Sequence, residues 1–255
     1  MNIVATIRAL LALVGLLTVS TYVRAGEAPQ FTCAASESIW SRYLAGQGGF
    51  WNTRSPTSVT FGECSHVESG LFANFTVLKS LNVTKKEPWE SEVDFAIGKR
   101  GALGAFDYTA MVQWYRVDLG SKFHLVNILN GNTSLGWTTA LNERTKLRLY
   151  AVADIMSPQS GLAGGVATSF ALGSTLTFQL SERWSTSTTV EAWKFVSHGF
   201  LQNTNWNIKA IQGVKFQIND DWSLNVSAML MHGNITDRLD HSTKGVVKVG
   251  FTAKF

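Results

Sequence analysis

The sequence predicts an all-β chain, a transmembrane antiparallel up-and-down β-barrel of about 12 strands, and three observations predict it. From about Ser38 onward apolar and polar residues alternate with period two, the pattern of a strand whose two faces meet different surroundings. No window carries a convincing helical period, and the one long apolar run, Ala9 to Leu17, is well short of the ~20 residues a helix needs to cross a bilayer. The third observation is a repeat: Phe178-Gln179-Leu180-Ser181-Glu182-Arg183-Trp184-Ser185 recurs as Phe216-Gln217-Ile218-Asn219-Asp220-Asp221-Trp222-Ser223, 38 residues later. Each copy is a strand end, a tight polar turn and a Trp opening the next strand. The step fits two strands, one tight turn and one longer loop, as in a chain running up and down with short turns at one end only.

Residues 1–25 have the three parts of a secretory signal: Arg8 in the head, an apolar stretch, and Val23-Arg24-Ala25 before a cut at Gly26. The predicted barrel domain is therefore 26–255. The 22 basic and 18 acidic residues give +4; without Arg8 and Arg24, 20 stand against 18 and the charge falls to +2. Basic residues are spread along the chain with no dense cluster, so no nucleic-acid partner is expected. Cys33 and Cys64, an even pair in an exported chain, favour a disulfide. Gln30-Phe31-Thr32 lacks the pattern that precedes a lipidated cysteine.

The strands follow in order. The first runs through Ser41 and Tyr43, the second covers Ser58 to Cys64, and the third covers Gly70 to Lys79. In the fourth, Ser91 to Gly98, Val93, Phe95 and Ile97 oppose Glu92 and Asp94; a turn is expected at Gly98-Lys99-Arg100-Gly101. In the fifth, Phe106, Tyr108, Ala110, Val112 and Trp114 alternate with Asp107, Thr109, Met111, Gln113 and Tyr115. Lys122 to Asn142 reads as one long strand or as two short ones joined at Asn130-Gly131-Asn132. Bringing Cys33 and Cys64 together at one end of the first two strands requires the single strand, and the total is twelve. In the seventh, Leu147, Leu149, Ala151 and Ala153 oppose Lys146, Arg148, Tyr150 and Asp154. The remainder are Leu162 to Leu180, Trp184 to Val196, Asn207 to Ile218, Trp222 to Met231 and Lys244 to Phe255, with longer connections at Ser157 to Ala163, Ser197 to Asn205 and His232 to Thr243.

A soluble sandwich alternates too, but its wet face is usually rich in Lys and Glu. Here that face carries Ala167, Ser169, Ala171, Gly173, Thr175, Thr177 and Gln179, which suits a confined lumen. Trp51, Trp89, Trp184, Trp206 and Trp222 fall at strand ends, where indole rings form girdles at headgroup level.

The last strand sets Val247, Val249, Phe251, Ala253 and Phe255 against Lys248, Gly250, Thr252 and Lys254. An amphipathic final strand ending in Phe resembles that of bacterial outer-membrane barrels, which implies an outer-membrane location, contact with outer-membrane lipid, and recognition of the Phe255 strand by the barrel insertion machinery. A narrower resemblance, to the TorF-type porin family, is carried by Ser41 and Tyr43, Pro56, Ser69-Gly70-Leu71-Phe72-Ala73, Glu92 and Asp94 with Gly98, and Tyr115. It spans about a third of the chain. The sequence departs from that family at Ala45, where an Arg precedes the strand-one Gly, and in having no Tyr-Pro after the fifth strand. The resemblance implies a pore without fixing its cargo.

The polar faces assign Glu92, Asp94, Asp107, Gln113, Tyr115, Lys146, Arg148, Tyr150, Glu191, Lys209, Lys215 and Lys248 to the lumen. Four acids against five bases on facing walls suggest passage of small hydrophilic solutes with weak selectivity; the same charges could pair across the lumen simply to fill it. No cofactor or metal is expected, and no enzyme activity. Asp240-His241-Ser242 has a triad's residue types, but consecutive residues cannot form the relay. His198 and His232 have no second ligand at metal spacing.

Overall fold

The computed structural model describes residues 30–42, 55–82, 91–118, 125–161, 164–197, 206–233 and 243–255. Among them are twelve strands: β1 Phe31–Trp40, β2 Thr57–His66, β3 Leu71–Ser80, β4 Ser91–Leu103, β5 Phe106–Asp118, β6 Val126–Asn142, β7 Thr145–Ser160, β8 Ala167–Gln179, β9 Trp184–Ser197, β10 Trp206–Gln217, β11 Trp222–Gly233 and β12 Lys244–Lys254. Each pairs antiparallel with its neighbours in the chain, and β1 pairs with β12, so the sheet closes into a barrel. Residues 126–142 form the single strand that the twelve-strand count needs. The segment 1–25, Tyr43, Trp51, Trp89, His198 and Asp240 to Ser242 lie outside the described residues.

Five short connections gather at one rim, the turn end, beside Phe31 and Phe255; the longer connections lie at the other, the loop end. Both copies of the repeat build the same turn. Leu180 N–H donates to the Trp184 carbonyl at 2.9 Å, and Ile218 N–H donates to that of Trp222 at 2.9 Å. Gln179 and Gln217 each send Nε2 to a backbone carbonyl two residues on, both at 2.5 Å. In the second copy Asn219 Oδ1 accepts from Trp222 N–H at 2.8 Å.

One connection and one turn differ from the sequence reading: β7 runs on to Ser160 and β8 begins at Ala167, where a connection from Ser157 to Ala163 and a strand from Leu162 are expected. β4 continues through Gly98–Gly101 to Leu103, and the chain reverses at Gly104-Ala105. The glycines at 98 and 101 answer to packing instead: a Cβ on Gly98 would lie 2.6 Å from the Phe72 ring and from the Ala110 carbonyl oxygen, and one on Gly101 would lie 2.9 Å from the Tyr108 ring. Gly104, at φ +63°, is the residue a primed two-residue hairpin turn requires. Ser41, expected in the first strand, lies just beyond β1.

The apolar residues of each alternation face outward and remain exposed, among them Val93, Phe95, Ile97, Val112, Leu149, Val247, Val249 and Phe251. Exposed Phe31, Phe106, Trp137, Phe178, Trp184, Trp222 and Phe255 ring the turn end. This is one aromatic girdle. One carboxylate breaks the apolar wall. Glu37 sits opposite Phe251 and Thr60, about 20 Å along β1 from Phe31. Its oxygens accept hydrogen bonds from Ser58 Oγ at 2.7 Å and from Thr60 Oγ1.

Cys33 and Cys64 face each other across β1 and β2, and they are joined by a disulfide. On its other side Cys33 exchanges both backbone hydrogen bonds with Phe255, at 3.2 and 2.9 Å. The bridge spans 31 residues of chain. Replacing both cysteines with serine is expected to destabilise the barrel by about 3–4 kcal/mol, read by denaturant titration in bilayers. Glu37→Leu should act in the opposite sense, by about 1–2 kcal/mol, because a lipid-facing charge is removed.

Candidate functional site: the barrel interior

Since successive side chains point to opposite faces, fixing the outer face fixes the inner one. Glu92, Asp94, Asp107, Gln113, Tyr115, Lys146, Arg148, Tyr150, Glu191, Lys209, Lys215 and Lys248 all lie on the inner face, as do Glu63, Arg100, Asp154 and Lys244. Those four, with Lys254 on the same parity of β12 as Lys248, add charges beyond the four acids and five bases that alternation alone assigns to the lumen.

The interior is graded along its axis. Near the turn end it is wet, and its charges pair. Arg100 and Glu63 meet at 2.6 Å, and Arg148 and Asp107 meet at 2.5 Å; the two arginine side chains retain 44% and 36% exposure. Each guanidinium also lies over an aromatic ring, Arg100 over Phe72 at 4.3 Å and Arg148 over Tyr150 at 5.0 Å. Cation–π contact and a carboxylate thus fix both side chains against the wall.

Midway, Glu191 is the hub. Its Oε1 accepts from Tyr150 Oη at 2.7 Å, and its Oε2 accepts from Trp193 Nε1 at 3.1 Å and from Lys209 Nζ at 3.2 Å. Lys209 also lies 4.8 Å from the Trp193 ring centroid, and Lys248 lies over Trp40 at 3.6 Å. β7, β9 and β10 supply the hub because Tyr150, Glu191 and Lys209 fall on the inner parity of adjacent strands; register sets Lys209 directly opposite Glu191.

Toward the loop end the interior is packed. Val59, Leu78, Val117, Val126, Ile128, Met156, Ala167, Ala171, Trp193 and Phe195 form one buried cluster that Trp40 and Tyr115 complete, and Met229, Met231 and Val246 form another that also touches Trp40. Set into this layer are Glu92, Asp94, Asn130, Asp154, Ser169 and Asn207, each at most 5% exposed. Hydrogen bonds join several: Tyr115 Oη donates to Gln113 Oε1 at 2.9 Å, Asn130 Nδ2 to Tyr115 Oη at 3.0 Å, and Asn132 Nδ2 to Asp154 Oδ1 at 3.0 Å. Asp94 Oδ1, Asn130 Oδ1 and Ser169 Oγ are buried without a hydrogen-bond partner.

The alternation pattern alone does not show this packed layer. The signal present in the sequence is a local loss of alternation: Val77-Leu78, Leu125-Val126, Ile128-Leu129, Met229-Leu230-Met231 and Val246-Val247 are apolar on both faces, and each sits near the loop end of its strand.

A closed twelve-stranded antiparallel barrel, short turns at one rim, a girdle and a polar interior can be compared with known folds. The fold is that of bacterial outer-membrane barrels. The KdgM porin superposes with a TM-score of 0.54 at 7% identity, over 88% of this chain and 99% of that one. The transport unit of the autotransporter AIDA-I from Escherichia coli gives 0.54 at 11%, over 94% and 95%. An outer membrane channel from Pseudomonas putida F1 gives 0.51 at 10%, over 91% and 100%. No family model matches the chain, and no curated protein matches it in sequence. Porins and a transport unit match equally well, so the likeness fixes architecture and leaves activity to the interior.

Lys209 gives a direct test of the hub. Lys209→Met strands the Glu191 charge in a largely buried position, and a loss of about 3 kcal/mol is expected in denaturant titration. Adding Glu191→Gln should recover most of it, because the uncompensated charge is then gone.

Proposed function

We propose that this protein is an outer-membrane channel through which small hydrophilic solutes diffuse passively. The observation that carries the reading is the water-accessible, charge-lined inner wall at the turn end, where Glu63 with Arg100 and Asp107 with Arg148 keep both signs of charge at the surface of a closed barrel. Such a wall favours polar solutes and disfavours apolar ones, and a near balance of acids and bases makes for weak charge preference. The KdgM porin has been solved in complex with disordered oligogalacturonate, an acidic oligosaccharide. The mixed charge of this interior does not favour a polyanion.

The rest of the reading follows from the sequence. Residues 1–25 export the chain, the strand ending at Phe255 is recognised by the insertion machinery, and the barrel resides in the bacterial outer membrane in contact with its lipid. The turn end then faces the periplasm, and the TorF-type porins are the family proposed. The pore-lining residues are Glu92, Asp94, Asp107, Gln113, Tyr115, Lys146, Arg148, Tyr150, Glu191, Lys209, Lys215 and Lys248. No catalytic step or cofactor is assigned to any of them.

A second reading has its own observation. The packed layer toward the loop end, with Phe195 at 2% exposure and Met231 at 0%, supports a barrel whose lumen is filled and whose role is structural or at its outer surface. Under the channel reading this layer is the narrow section that limits flow.

Planar-bilayer recording separates the two. The channel reading expects discrete conductance steps, with the reversal potential moving toward cation preference in Lys146→Glu/Arg148→Glu. A barrel that inserts and stays silent establishes the filled lumen, in which case the double variant changes stability alone.

A further inference from the structure

The outer wall holds a feature that solute passage does not use. Barrel walls are convex, yet β2 to β7 enclose an open groove of about 1140 Å³ on the outward face. Small residues, Ala110, Gly131 and Ala153, make its floor between the larger Ile97 and Ile155. A Cβ built on Gly131 meets no atom within 4 Å, so the floor looks onto open space. From β2 to β7 the groove crosses five strand spacings, about 24 Å, and strand tilt makes it climb obliquely from the turn-end rim into the wall.

Its lower end is polar and basic. His66, Ser69 and Lys99 line it there. Ser69 N–H donates to His66 Nδ1 at 3.2 Å, which leaves the imidazole proton on Nε2 as an outward donor. Lys99 is exposed on the outer face and makes no ion pair among the described residues. Glu68, exposed, precedes Ser69 in the same turn at this rim.

We propose that the groove binds one zwitterionic phospholipid, its phosphate held by Lys99 and His66 and one acyl chain laid along the floor. The proposal rests on the membrane reading of the outer wall. Charge complementarity selects the occupant: a phospholipid brings an anion to the basic rim, an ammonium to Glu68 and a thin hydrocarbon chain to the floor. A second copy of the barrel would present a convex wall, too broad to reach Gly131.

Native mass spectrometry of the folded full-length mature barrel in detergent, titrated with phosphatidylethanolamine, tests this. One lipid should remain bound to the wild type. Lys99→Ala should weaken retention roughly tenfold, as expected for loss of one charge-assisted contact, and the groove-filling variants Gly131→Trp and Ala153→Phe should each abolish it. Heat-modifiable gel mobility confirms folding, and two filling variants guard against one of them failing to fold. Equal retention in all folded variants overturns the proposal, as does a lipid-free wild type or a wild-type dimer dispersed by Gly131→Trp. A mature chain that folds in plain buffer without amphiphile overturns the membrane reading itself; a barrel that needs amphiphile yet holds no lipid overturns the groove alone.

Discussion

Backbone amides in a hydrocarbon layer have no water to bond, so every N–H and C=O must find a partner within the protein. Twelve strands meet this requirement only because β1 pairs with β12 in register from Ala34 with Lys254 to Trp40 with Lys248. Closure then dictates the rest. With no free edge, each strand has one outward and one inward parity, and the chemistry of the interior is fixed by which residues fall on the inward one. Glu191 meets Lys209, and Arg148 reaches Asp107, because ladder register places them there.

The interior is two environments stacked on one axis. At the turn end, long charged side chains lie flat on the wall over aromatic rings and leave the lumen to water. Toward the loop end, Trp40, Trp193 and Phe195 reach across and pack against aliphatic residues of other strands. Between them the Glu191 hub spends its hydrogen-bonding capacity on three different donors. A barrel of this width lies between those that side chains fill and those that hold an aqueous channel, and this one divides the difference along its length.

Much of the fold was legible because the alternation is long and clean. The strand pattern and the inward side of the charged residues follow from parity and spacing, the Cys33–Cys64 bridge from an even cysteine pair in an exported chain, and the single strand at 126–142 from bringing that pair to one rim. Gly98 and Gly101 misled because glycine signals both a turn and a close approach of neighbouring groups; only the partner strand reveals that Phe72 and Tyr108 occupy the space a side chain would need. The packed layer was hidden because its residues, such as Met229 and Met231, flank outward-facing Leu230, and one strand cannot tell hydrocarbon outside from packed side chains inside. Glu37 was missed for the complementary reason, since its hydroxyl partners Ser58 and Thr60 come from β2.

The linkage of Phe255 to Cys33 and of Cys33 to Cys64 bears on how the barrel is assembled. Of the twelve pairings, only that of β1 with β12 joins distant parts of the chain and must wait for the final residues. Once oxidised, the first hairpin cannot slide, so the edge that β1 offers to the arriving C-terminus is already locked in alignment. A two-residue slip would keep every side chain on its proper side and go unnoticed by parity. The cystine removes that freedom on one flank of the seam, so its formation acts as proofreader of the closing step.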